Sequence, residues 1–248
     1  MTDGITIRLL TTQADYAACV ALQRDTWGAG FNETVPPSLM LVFNRIGGVV
    51  AGAFDEGGSL LGFVLGMTGV ENGVIVHWSD MLAVRPEARN TGLGRRLKEF
   101  QRREVERVGG RVIYWTYDPL VARNAHLNFN VFGVRAVEYI RDMYGSGTGS
   151  TLHGGLGTDR LVVAWPVADA DIAARLRETQ AALAAPPARR IEIPSDLERV
   201  LKNDPGRAAE WRATVRREFE AAHAGGFRVA GFRADPSGPV GVYVLSRP

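Results

Sequence analysis

Arg89-Asn90-Thr91-Gly92-Leu93-Gly94 lies between an apolar run, "MLAV", and a long arginine-rich segment. Two glycines where a strand feeds a helix make an anion site chemically accessible. The first N–H groups of a helix have no intrahelical acceptor, and the helix dipole places positive potential there. Glycine leaves no side chain to hold a phosphate away from them. Arg89, Arg95 and Arg96 add charge nearby. The same six residues also read as a helix start with an exposed basic turn, and the string alone does not separate the two. It is not G-x-x-x-x-G-K-[ST], and no G-x-G-x-x-G follows the first strand, so P-loop and dinucleotide fingerprints are absent.

Two carboxylates stand where proton transfer could occur. Asp80 interrupts the apolar run "VIVHWSDMLAV". Strict alternation sets it on the face of Leu82 and Val84, where it would be buried, and a β-bulge would turn it outward. It reads either as a proton acceptor or as a carboxylate tied to a backbone or arginine partner. Asp118, before Pro119 at a strand end, reads as a proton acceptor, as a cap of the following helix, or as a partner of Arg123. His77 reads as structural. Trp27, Trp78 and Tyr117 either line a pocket or belong to the core. The four histidines pair with neither Cys19 nor carboxylates at metal-site spacing, so no metal is expected. Cys19, in "YAACVALQ", reads as a small buried hydrophobe.

Positioning these groups requires a framework. "ITIRLLTT" predicts a strand, "QADYAACVALQRDTWG" a helix ending at Gly28, and "PPSLMLVFNRIGG" a second helix. Two strands follow around Glu56-Gly57-Gly58, then "VIVHWSDMLAV" as a third. The helix after the turn runs to about Val108, with Leu93, Leu97, Phe100 and Val108 on one face. Its basic residues, Lys98 and Arg102 among them, read as a solvated face. "RVIYWTYD" is a strand, "VARNAHLNFNVFG" a helix stopped at Gly133, and "VRAVEYIRDMYG" and "RLVVAWPV" are strands. The Gly/Ser/Thr-rich loop 145–158 between the last two reads as a mobile cover over an acceptor site, and Asp159-Arg160 as a structural pair. After Val167 the composition changes to an alanine-rich helix and a proline-bearing linker. Ser195 with Glu198 suggests a capping box, and Asp204 with Pro205 a helix start. That helix carries Trp211, Val215, Phe219 and Ala222 on one face. Two strands close the chain around Asp235-Pro236-Ser237-Gly238.

The 248 residues suit one large domain or a domain with an appendage. A hydrophobic content of 46% suits a sizeable core, and a net charge of +2 gives no argument for nucleic acid. One cysteine permits no intrachain disulfide. No apolar run approaches the roughly 20 residues needed to span a bilayer, and no basic region precedes an apolar core at the start. A cytoplasmic location is expected, with no membrane partner.

With R-x-x-G-x-G after a strand, "MLAVRPEARNTGLGRRL" (81–97) resembles the coenzyme A pyrophosphate loop of the GNAT superfamily of acyl-CoA-dependent N-acyltransferases. The resemblance extends over residues 5–167. It implies an α/β (α+β) mixed sheet with a central splay as domain 1–167, and 168–248 is then a small C-terminal α/β extension. Acetyl-CoA or coenzyme A would be the co-substrate. Leu82, Ala83 and Val84 would offer backbone groups to its pantetheine. Arg89, Asn90, Thr91, Gly92, Leu93, Gly94 and Arg95 would surround its pyrophosphate. "WTYDPLVARNAHLNFNVFGV", then "YG" and "GLGTDRLVVAW", resembles a subgroup of predicted acetyltransferases with an added C-terminal segment. Thr116, Asn124 and Asn128 fall in it, and Asn124 would bond pantetheine or cap locally.

The activity so implied is transfer of an acetyl or short acyl group to a small-molecule amine by direct attack in a ternary complex. Free amines are mostly protonated at neutral pH, so a base must remove a proton, and Asp80 stands where members often carry Glu. Many members place a tyrosine four residues before a helix-ending glycine, and counting back from Gly133 gives Phe129, which cannot donate a proton. Phe129 reads as core or as a wall of the acyl-CoA channel. A non-catalytic acyl-CoA-binding module, and an interaction protein working through 168–248, are the other readings. Monomer and homodimer are both open.

Overall fold

The computed structural model describes residues 4–145, 149–150, 155–234 and 238–247. By contact the chain groups into two compact units, Met1–Trp115 with Thr148–Leu152, and Thr116–Gly147 with His153–Pro248. The composition change after Val167 falls inside the second.

The first unit contains β1 (Thr6–Leu9), α1 (Gln13–Trp27), α2 (Pro37–Arg45), β2 (Val49–Phe54), β3 (Leu60–Glu71), β4 (Val74–Val84) and α3 (Leu93–Arg107), followed by the start of β5 (Val112–Tyr117). Its strands lie in the order β1-β2-β3-β4-β5, antiparallel up to β4 and parallel between β4 and β5. α1 starts with a capping box. The Asp15 N–H donates to Thr12 Oγ1 at 3.1 Å, and the Thr12 N–H donates to the Asp15 carboxylate at 3.2 Å. One face of the sheet buries Phe63, Leu65, Met81 and Ala83 against Tyr16, Cys19 and Leu22 of α1 and Met40 of α2. Cys19 is fully buried, which pushes its thiol up to about 12 and leaves it a packing residue, as its helix context suggests. α3 buries Leu93, Leu97, Lys98, Gln101, Arg102 and Val105. That stripe differs from the expected one: Lys98 and Arg102 are not on a solvated face, while Phe100 and Val108 are only half-buried.

The second unit continues with α4 (Ala122–His126), which runs on as a π-helical stretch, Leu127–Phe132, and ends at Gly133 with φ +67°. β6 (Arg135–Ile140) and β7 (Arg160–Pro166) pair antiparallel. Then come α5 (Asp169–Ala184), β8 (Arg189–Pro194), α6 (Leu197–Asn203), α7 (Pro205–Ala224), β9 (Arg228–Arg233) and β10 (Val240–Ser246). The last three strands form an antiparallel sheet ordered β8-β10-β9.

Several local expectations need correction here. β8 falls where the sequence suggested a linker, although Ile191 and Ile193 are buried and alternate with exposed Arg190 and Glu192. Asp196, not Ser195, caps α6, accepting the Arg199 N–H at 2.9 Å, while the Ser195 hydroxyl donates to the Gly238 carbonyl. Asp159 pairs with Arg216 of α7 at 2.5 Å rather than with Arg160, whose guanidinium donates to the Asp159 backbone carbonyl. On α7 the buried stripe is Ala208, Arg212, Val215, Phe219 and Ala222, with Trp211 half-buried. Half of the expected loop 145–158, and all of the turn at 235–238 except Gly238, lie outside the described residues.

Candidate functional site

The turn between β4 and α3 begins with one 3-10 turn, Pro86–Ala88. Asn90 then takes φ +62° and Gly92 φ +82°, both left-handed. No side chain caps α3. The Thr91 hydroxyl turns back to the Ala88 carbonyl at 2.7 Å instead. The first backbone bond at this end is Arg96 N–H to the Gly92 carbonyl, 3.1 Å, so the N–H groups of Leu93, Gly94 and Arg95 precede any intrahelical acceptor. A Cβ added at Gly92 would meet nothing within 4 Å, so the space beside Gly92 is open. Arg89 and Arg95 are exposed beside it, whereas Arg96 is tied back to the Ile5 carbonyl at 3.0 Å. An uncapped helix start, open space and two exposed cations fit a pyrophosphate.

Among the described residues, β4 leads into this turn with one edge unpaired beyond Trp78. Its parallel ladder to β5 covers only Val76–Trp78, opposite Val112–Tyr114. On the other side β3 pairs with it as far as Val84. The Arg85 N–H donates to the Leu61 carbonyl of the β3 side, and the Arg89 Nε–H donates to the Val84 carbonyl. Alternation then aims Leu82 and Val84 at the free edge and Ala83 at β3. Of the three residues expected to offer backbone groups, two face the gap, and the Val84 carbonyl is already engaged.

The bulge that would expose Asp80 is present. Leu65 pairs with Met81 but Gly66 pairs with Ser79, so Asp80 is the extra residue. It reverses the facing of β4. His77 and Ser79 point to α3, whereas Met81 and Ala83 join the core on the α1–α2 side. Asp80 is exposed and accepts a hydrogen bond from Trp78. Its carboxyl is raised above the ordinary aspartate value, first by desolvation among its neighbours and then by the negative charge of Glu33, with the Trp78 bond opposing both. Trp27, half-buried on α1, stacks on Phe31 with ring centroids 5.6 Å apart.

Beneath β4 lies a buried polar row. Lys98 Nζ donates to Ser79 Oγ at 2.8 Å and to Gln101 Oε1 at 3.3 Å. Gln101 Nε2 donates to His77 Nε2 at 3.1 Å. That leaves Nδ1–H of the neutral ring to donate to Thr68 Oγ1 at 3.0 Å, and Thr68 donates to the Gly47 carbonyl at 2.6 Å. Burial, with the nearby Lys98 charge, pushes His77 down to about 3. His77 is structural, as its sequence context implied. Burial likewise lowers Lys98 well below the usual lysine value.

The remaining candidates belong to the second unit. Asp118 Oδ1 accepts the Leu120 N–H at 2.9 Å, and Oδ2 accepts from Arg212 of α7 at 2.5 Å. Both of its oxygens are engaged, and its ion-pair partner is Arg212 rather than Arg123. Phe129 is fully buried, edge-on to Tyr243 of β10 at 6.2 Å. Tyr117 is also buried, its hydroxyl 3.1 Å from that of Tyr243, which donates to the Pro119 carbonyl at 2.7 Å. Asn124 is half-buried early in α4. Arg212 had no sequence signal, because it contacts Asp118 across 94 residues of chain. Among the described residues no group of three His, Cys, Asp or Glu side chains could hold a metal, and no helix is long and apolar enough to cross a membrane.

Comparison with known proteins bears on this geometry through the fold. No family model matches the chain, and no curated protein matches it. Solved structures do. Arabidopsis thaliana NAA60, in complex with acetyl-CoA, superposes with a TM-score of 0.51 at 14% identity, covering 65% of this chain and 99% of its own. Salmonella typhimurium yncA, with its cofactor acetyl-CoA, gives 0.50 at 18% identity over 66% and 95%. Ard1 from Thermoplasma volcanium gives 0.50 at 14% identity over 67% and 99%. The fold of this chain is the mixed α/β fold of the GNAT acetyltransferases. About a third of the chain lies outside each superposition.

Proposed function

We propose that this protein is an acyltransferase that moves an acetyl or other short acyl group from acyl-CoA to an amine. The observation that carries the reading is the uncapped start of α3, entered through left-handed Asn90 and Gly92 beside the free edge of β4, on a GNAT fold. Acyl-CoA would supply an electrophilic thioester carbonyl with a thiolate leaving group. Leu93, Gly94 and Arg95 offer N–H groups to its pyrophosphate, and Arg89 and Arg95 offer charge. The Leu82 edge offers backbone groups to pantetheine, and an N–H there would polarise the acyl carbonyl. Asp80 is the group assigned to proton uptake from the amine. It is partly exposed at the surface, and its raised proton affinity suits a base. Asp118 is a weaker choice, since accepting a proton would cost it a contact to Leu120 or Arg212. Cys19 is buried and its thiol is pushed up, so no activated cysteine supports a covalent route, and attack by the amine would be direct.

One specific observation favours a second reading, a module that binds acyl-CoA without turning it over. Phe129 is fully buried and lacks the hydroxyl that the family pattern places there. Two measurements separate the readings. Titration with acetyl-CoA should raise the melting temperature, because a ligand that binds only the folded state stabilises it. Thiol release from acetyl-CoA with a panel of primary amines should then rise above hydrolysis. Binding without release would select the second reading, and no binding would refute both.

A further inference from the structure

The row under β4 contains a cost that the acyltransferase reading does not explain. Lys98 is 4% exposed, and among the described residues no carboxylate lies within ion-pair distance of it. A buried amine without a counter-charge is destabilising relative to an apolar residue of the same length. The position lies on the buried stripe of α3 beside Leu97, where an apolar side chain would pack at no such cost.

Where Lys98 reaches is specific. The β4–β5 ladder ends at Trp78 opposite Tyr114, so the next rung would set Ser79 opposite Trp115. Lys98 holds both of those residues. Its Nζ donates to Ser79 Oγ at 2.8 Å and sits 3.8 Å from the centroid of the Trp115 ring. With Gln101 Oε1 at 3.3 Å, its three donor positions are used. One side chain from the helix below thus grips each strand at the first rung that is not closed. Ser79 is also the residue immediately before the bulge at Asp80.

We propose that Lys98 is a positioning residue: by holding Ser79 and Trp115 at the first open rung, it keeps β4 and β5 apart at the spacing acyl-CoA binding requires. This rests on the acyltransferase reading, which places pantetheine along that edge. The amine is retained against its desolvation cost because a purely apolar contact gives no directional hold on the serine. Removing it should therefore weaken ligand binding by more than its small effect on stability accounts for.

The test compares Lys98→Met and Ser79→Ala with the wild-type chain by thermal melting and by calorimetric titration with coenzyme A. Lys98→Met should still fold, with a melting temperature within a few degrees of wild type, because the relief of the buried amine offsets the lost donor to Ser79 and Gln101. It should bind coenzyme A about ten-fold more weakly, the consequence of losing one buried hydrogen bond's worth of pre-organisation. Ser79→Ala should weaken binding in the same direction, and the double variant should be no weaker than Lys98→Met alone, because both remove one contact. With turnover, the KM for acyl-CoA should rise while the KM for the amine stays within about two-fold. Wild-type affinity in Lys98→Met overturns the proposal and leaves the acyltransferase reading standing. Failure of the wild-type chain to bind coenzyme A overturns both. If Lys98→Met does not fold, Ser79→Ala decides alone, and wild-type affinity there overturns the proposal.

Discussion

Gly92→Ala tests the anion site against a matched control within the same unit. Gly92 and Gly58 both have φ +82°, and a Cβ added to either meets nothing within 4 Å. Gly58 sits in the β2–β3 turn, closed by the Gly58 N–H to the Asp55 carbonyl at 3.0 Å. Alanine at either position incurs the left-handed backbone penalty, roughly 1–2 kcal/mol, and no steric clash. In a chain of this size, each kcal/mol lowers the melting temperature by about 2–4 °C. Both variants should therefore melt lower by similar amounts. Coenzyme A separates them. At a ligand concentration of about 100 times Kd, binding stabilises the wild-type fold by about 2.7 kcal/mol. Gly58→Ala should keep that increment. Gly92→Ala adds a methyl at the residue that leads directly into the Leu93 and Gly94 N–H groups. A ten-fold loss of affinity would cut the increment to about 1.4 kcal/mol, halving the ligand-induced shift. Thermal melts with and without coenzyme A measure it directly. Equal ligand-induced shifts in the two variants would refute the placement of the pyrophosphate at the start of α3.

Three further outcomes follow from the same geometry. Asp80→Asn should lower kcat by about 100-fold or more while the affinity for coenzyme A is unchanged, and stopped assays with saturating amine would show it. His77 is held neutral with its pKa near 3, against about 6.5 when unfolded, so the unfolded chain binds the extra proton below pH 6.5. Stability must then fall as pH drops from about 6.5 towards 3; between pH 7 and 5 the His77 share is about 2 kcal/mol. Urea titrations of wild type and His77→Gln at those two pH values should differ by that amount, and equal losses would sink the assignment. Arg212→Met should destabilise the second unit by about 1–2 kcal/mol, because Asp118 loses its ion pair but keeps the Leu120 N–H and the nearby Arg160 charge, and adding Asp118→Asn should recover part of the loss. Chemical denaturation of the single and double variants would measure both.

The strands and helices that frame the turn were legible because their signals are local. The alternation of "ITIRLL", the Glu56-Gly57-Gly58 turn and the glycine after α1 each act within a few residues. The open helix start was legible for the same reason, since Gly92 and Gly94 act on their own backbone. β8 was harder to see because its six residues follow a proline-bearing stretch and alternate over only Arg190 to Ile193 before ending on a proline. The capping residue of α6 differed by one position because Ser195 and Asp196 are both competent caps, and Ser195 is drawn away by Gly238, 43 residues later in the chain.

What the sequence alone determined is the order of the elements and the place where a strand must hand over to an uncapped helix, because periodicity and glycine backbone freedom are properties of neighbouring residues. Tertiary structure decided the chemistry of the side chains. The bulge depends on the register between β3 and β4, and it turns Asp80 out to solvent beside Trp78 and Glu33. The burial of Lys98 depends on how α3 lies beneath the open rung, and the pairing of Asp118 depends on a helix 94 residues away. A carboxylate or an amine has no fixed proton affinity of its own in a folded chain. Its neighbours set it, and only folding brings those neighbours together.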